Sequence, residues 1–103
     1  MNEAVRLLEE SAARMEVRGW TRGTYGPSEG PNCIAGVISW TGHDLGLSSV
    51  VYTARKAVTA LPGFPGPGLT HWNDFCCTGP AEASDMLRTA AKRLQEEADV
   101  PRA

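Results

Sequence analysis

Two stretches dense in glycine and proline, Thr21 to Pro31 and Pro62 to Gly68, divide this chain and limit the length of any regular element between them. Glycine there frees the backbone for turns, and proline removes an amide donor, so neither stretch continues a helix or pairs along a strand. The segments they leave are short, and most of them carry a helical rather than an alternating period. Between Ala4 and Val17 the apolar residues Val5, Leu8, Ala12 and Met15 recur at three- and four-residue steps, while Glu9, Glu10, Arg14 and Arg18 fall off that stripe. Asn2 is placed to cap this helix, Glu10 and Arg14 to pair across one turn, and Gly19 to close its end. Trp20 follows directly and is expected to fold back onto Met15 as a core anchor.

The next run, Cys33 to Trp40, is rich in β-branched residues and could suit a buried strand. Pro31-Asn32 is a good helix start, Gly42 a good exit, and no second strong strand is present to pair with it, so a short buried helix is predicted. Ser48 or Ser49 can cap a third helix with Val51, Ala54, Val58 and Leu61 on one face, stopped by Pro62-Gly63. Thr78 or Gly79 opens a last, long helix with Pro80 in its first turn. Its stripe is Ala83, Leu87, Ala90, Leu94 and Ala98, and Pro101 ends it. The expectation is an all-α architecture, a small four-helix domain over residues 1–103 with two Gly/Pro-rich loops, in which His71 to Asp74 lies in irregular backbone.

At 103 residues the chain can bury one core but not two. Its net charge is -2, with 10 basic and 12 acidic residues scattered along it, which offers no footprint for nucleic-acid phosphates and no polybasic stripe for a membrane. No apolar run has the length to span a bilayer, and the first residues lack the pattern of a signal peptide, so a cytoplasmic protein is expected. Three cysteines, Cys33, Cys76 and Cys77, make an odd count with one adjacent pair, which reads as reduced thiols.

The consecutive His71, Trp72, Asn73 and Asp74 place an imidazole, an indole, an amide and a carboxylate side by side. Cys33, in the first turn of its helix, would meet free amides that favour a thiolate. With His71 as base and Asn73 or Asp74 orienting it, the chain order matches one class of cysteine hydrolases. The plainer reading makes Cys33 a buried apolar group, Trp72 a core anchor, and Asn73 and Asp74 the partners of loop amides. A metal held by His71, Cys76 and Cys77, completed by His43 or Cys33, is disfavoured because adjacent cysteines diverge and no Cys-x-x-Cys pair exists. No metal and no cofactor are therefore expected. His43-Asp44 reads as an exposed loop position.

Gly19-Trp20, Gly30 with Cys33, Gly36 in the second helix, and Trp72-Asn73-Asp74 before an alanine-rich final helix together resemble a family of small uncharacterised proteins of actinobacteria and their phages. His71 lies outside that pattern. The resemblance implies a helical cytosolic domain and supplies no activity. The residues favour a protein-interaction or regulatory module over an enzyme, with Trp20, Trp72, Asn73 and Asp74 as its binding set. Three tryptophans and a small-residue stripe suit a protein partner or self-association. The alternative is a hydrolase or acyl-transfer enzyme built on Cys33 and His71.

Overall fold

The computed structural model describes residues 2–99, with side chains to residue 97. The side chain of Ala98 and all of Pro101, both assigned to the last helix or its end, lie outside the described residues. Five α-helices follow one another among those described: α1 (Glu3–Arg18), α2 (Ile34–Asp44), α3 (Val51–Thr59), α4 (Leu69–Phe75) and α5 (Pro80–Asp99). A 3-10 turn, Ser48–Val50, leads into α3, and no strand occurs among the described residues. The helical architecture follows the sequence periods, but the count of four is corrected to five. The added helix is α4, formed by the very segment that reads as irregular. Its seven residues are too few to display a periodic stripe, and they bury only Leu69, Trp72 and Asn73.

α1 and α5 form the main body. Arg88 on α5 lies between Glu9 and Glu16 of α1, at 2.9 and 2.7 Å, and Ser84 lies beside Glu16, which sets the two helices antiparallel. The inner faces bury Leu7, Leu8, Ala12 and Met15 against Ala83, Leu87, Ala90 and Ala91. The small residues Ala83, Ala90 and Ala91 thus permit close approach of the helices within the chain. Ile34 and Ile38 of α2 and Val58 of α3 complete the fully buried centre. Each fully buried aliphatic side chain of this kind contributes roughly 1.5–3 kcal/mol of transfer free energy.

Helix ends match the sequence in part. The Asn2 side chain accepts from the amides of Ala4 and Val5, and Gly19 closes α1 by donating to the Met15 carbonyl. α2 begins one residue after Cys33 and runs through Gly42 to Asp44, so His43 and Asp44 are helical rather than loop. Asp44 pairs with Arg14 at 2.7 Å, the partner the sequence assigned to Glu10. Ser48 and Ser49 fall in the 3-10 turn, and no side chain caps α3. At α5, Gly79 precedes Pro80, and Glu82 reaches back to accept from the Thr78 amide at 3.1 Å.

Gly36 sits where the loop after α1 lies across α2. A Cβ there would run into the Tyr25 backbone carbonyl. In an ordinary helix interior, glycine to alanine stabilises by roughly 0.5–1 kcal/mol. Here Gly36→Ala should instead destabilise by about 1–3 kcal/mol, because the colliding atom is backbone and cannot rotate away. Thermal unfolding by circular dichroism should show Tm falling by several degrees, at about 4–8 °C per kcal/mol. An unchanged or raised Tm would mean that the loop does not rest on α2.

Candidate functional site

The chain between Trp20 and Asn32 leaves α1 and returns to α2 with its ends together. The Thr21 amide donates to the Asn32 carbonyl at 3.1 Å, and Trp20 and Asn32 form an isolated parallel bridge. This is a closed loop of the Ω type, and its turns leave backbone groups that no helix satisfies. Side chains from the surrounding elements satisfy several of them. The Asn32 amide group donates to the carbonyls of Tyr25 and Pro27, both at 2.8 Å, and the Trp40 indole donates to the Gly26 carbonyl at 3.2 Å. Gly26 has φ 79°, and a Cβ on it would strike the Pro31 carbonyl, so this tight fold of the loop admits only glycine.

Asn73 is the centre of this arrangement. It is fully buried on α4, and its Oδ1 accepts from the Trp20 indole at 2.7 Å and from the Ile34 amide at 2.9 Å. Its Nδ2 donates to the Thr21 carbonyl at 3.0 Å and to Asp74 Oδ1 at 3.0 Å. One carboxamide therefore joins the end of α1, the start of the loop, the first turn of α2 and α4, with every donor and both acceptor positions used. Asp74 extends the clamp by accepting from the Gly23 amide at 2.9 Å. That amide, then the Asn73 side chain, hold the Asp74 carboxyl below its usual pKa against a partial opposing effect of burial.

The tryptophans divide their work. Trp72 is buried and lies 6.4 Å from the Phe64 ring, which comes from the second Gly/Pro-rich loop. Trp20 is half-buried, with its indole N–H on Asn73 and the Arg22 guanidinium 5.0 Å above its ring. Arg22 also donates to the Cys77 carbonyl at 2.9 Å, tying the loop to the chain beyond α4. Of the four residues that the sequence groups, Trp20, Asn73 and Asp74 are joined at this junction by hydrogen bonds, whereas Trp72 packs in the core beside Phe64. The sequence singles out neither Asn32 nor Arg22, and it reads Trp40 as part of a core or an exposed patch rather than as a partner of the Gly26 carbonyl. Only Asn32 carried a signal, a short amide side chain just before a helix and after a run of turn residues.

Cys33 and His71 do not meet in this way. Cys33 is the N-cap of α2, and its sulfur accepts from the Gly36 amide at 3.3 Å. The helix amides face it as expected, but burial outweighs them and pushes the thiol's pKa up, away from a thiolate. His71 is exposed, its ring 4.9 Å from that of Phe75, and no hydrogen bond joins it to Cys33 among the described residues. Asn73 and Asp74, the residues proposed to orient the imidazole, are engaged with the loop. Cys77 is buried with a raised pKa, chiefly from burial, and Cys76 is exposed. Among the described residues no three His, Cys, Asp or Glu side chains are grouped to hold a metal ion.

Asn73→Leu should destabilise strongly. It strands the Trp20 indole, the Ile34 amide and the Thr21 carbonyl, at about 1–3 kcal/mol for each buried group left unsatisfied, reduced where the loop can relax to water. A urea midpoint that moves by less than the equivalent of about 1 kcal/mol would refute the junction. Asp74 contributes in a pH-dependent way. Its folded pKa is depressed, so its stabilisation is present above the unfolded value and disappears as the pH falls through the folded one, below about 4. The carboxylates of Glu16, beside Arg88, and Asp44, beside Arg14, are shifted the same way. Asp74→Asn should therefore flatten part, but not all, of the acid limb of stability against pH. An acid limb identical to that of the parent chain would remove Asp74 from the account.

No curated protein and no solved structure matches this chain. A family model described as a family of unknown function matches residues 1–93, a span that includes the whole Trp20, Asn32, Asn73 and Asp74 junction. The chain belongs to that family, the family of unknown function DUF6197.

Proposed function

We propose that this protein is a cytoplasmic protein-interaction module, regulatory in kind, whose recognition surface is the closed loop and the neighbouring outer face of α3. The observation that carries this reading is a loop of irregular backbone held from beneath by Asn73, Asn32, Trp40 and Asp74, with Tyr25 exposed on its outer side. A loop fixed in advance loses little conformational freedom on binding, so more of the contact energy appears as affinity.

The side chains beside it have the composition of an interface. The Tyr25 hydroxyl lies 3.4 Å from Arg55, and Tyr52, one turn before Arg55 on α3, is 71% exposed. Tyrosine and arginine are enriched where proteins dock. A partner other than a second copy is favoured, since the small-residue stripe on α5 is consumed inside the fold. Free thiols at all three cysteines are consistent with a reducing compartment. A regulatory role in an actinobacterium or its phage fits the same reading.

A photo-crosslinking residue, benzoylphenylalanine, placed at Tyr52 in living host cells tests it. Tyr52 should yield a discrete adduct that disappears with Asn73→Leu, while the same residue at the exposed Asp85 of α5 yields none. Equal labelling from both positions, or none from either, would overturn the assignment of this surface.

A further inference from the structure

We infer that the occupant of this surface is an acidic, extended segment of another protein, bound along a groove between α3 and the start of α4. The inference rests on the interaction reading above and adds the chemistry of the partner. Tyr52, Arg55, Lys56 and Thr59 stand at positions i, i+3, i+4 and i+7 of α3, which places them on one face. The opposite face buries Ala54 and Val58. Across from the ridge lie Gly68 and Leu69, and the groove between holds about 350 Å³. A Cβ added at Gly68 would meet no atom within 4 Å, so that wall is open.

Charge selects the occupant. The groove is lined by two cations and no carboxylate, and α3 contains no acidic residue at all. Arg14, Arg88 and Arg93 each have a carboxylate partner, whereas neither Arg55 nor Lys56 has one within ion-pair distance among the described residues. Each cation instead lies beside a tyrosine: Arg55 donates to the Tyr25 hydroxyl at 3.4 Å, and Lys56 lies over the Tyr52 ring at 5.7 Å. This local positive ridge stands on a chain of net charge -2.

A pair of cations beside exposed aromatic rings is complementary to carboxylates flanking an apolar side chain. Two cations are few for a nucleic-acid backbone, whose binding depends on several phosphate contacts at once.

The test is a titration of the full chain, labelled with nitrogen-15, with the acetylated and amidated peptide Glu-Glu-Leu-Glu-Glu. Saturable amide shifts are expected at residues 52–59 and 68–69. Affinity should fall by about tenfold for the double variant Arg55→Gln, Lys56→Gln, and by a similar factor when salt rises to about 0.5 M. The variant should keep its Tm, because both side chains reach solvent. The inference is overturned if the matching glutamine peptide binds equally well, if a uridine hexamer binds more tightly, if the shifts appear on dilution without peptide and so report a second copy, or if the variant titrates like the parent. An adduct captured through position 52 together with a failed peptide titration would sink the acidic partner and leave the interaction surface standing. Failure of both would remove both.

Discussion

The carboxamide of Asn73 sits where four parts of the chain converge, and the geometry around it depends on its bonds being made together. Trp20 follows the end of α1, Thr21 begins the loop, Ile34 begins α2, and Asn73 itself lies on α4. Asn73 and Ile34 are fully buried, and Trp20 and Thr21 are half-buried beside them. A buried donor or acceptor without a partner costs more than a typical hydrogen bond contributes, so one missing bond would strain the rest. A carboxamide suits the site because it offers two donors and two acceptor directions without a charge to bury. Aspartate in its place would turn an acceptor towards the Thr21 carbonyl and the Asp74 carboxylate, and leucine would offer nothing.

The helical body and the loop stabilise one another through different forces. α1 and α5 are held by apolar burial, with Leu7, Leu8 and Leu87 fully enclosed, and the surface pairs of Arg88 contribute little beside that. The loop buries little of its own surface and is ordered by directional bonds from Asn32, Trp40, Asn73 and Asp74. The body therefore supplies the stability and the junction supplies the shape. Gly36 is where the two meet, since the absence of a side chain lets the Tyr25 backbone rest on α2.

The periodic stripes of α1, α3 and α5 could be read directly, because burial of one face imposes a three- to four-residue spacing on the sequence. Val5, Leu8, Ala12 and Met15, and likewise Ala83, Leu87 and Ala90, occupy the predicted interior. α4 escaped because a seven-residue helix flanked by breakers is specified by its tertiary contacts rather than by propensity. The cluster of Trp72, Asn73 and Asp74 stood out as polar groups beside an indole, and its use as a clamp for loops was among the readings open from the residues alone. Which groups it clamps was not readable. Asn73 and the Trp20 indole are separated by 53 residues, about half of the chain, and nothing local encodes such a pairing. The same holds for Cys33, whose position facing free amides was anticipated, while the burial that raises its pKa follows from elements packed over it.

If Asn73 is the keystone, the protons it holds should be among the best protected in the molecule, although Trp20 and Ile34 flank an irregular loop. Hydrogen exchange followed by NMR on the intact chain measures this directly. The Trp20 indole N–H and the Ile34 amide should exchange as slowly as the Leu87 amide in the middle of α5, opening only with global unfolding. Exchange of either proton at the rate of an exposed loop amide, while Leu87 stays protected, would contradict the account.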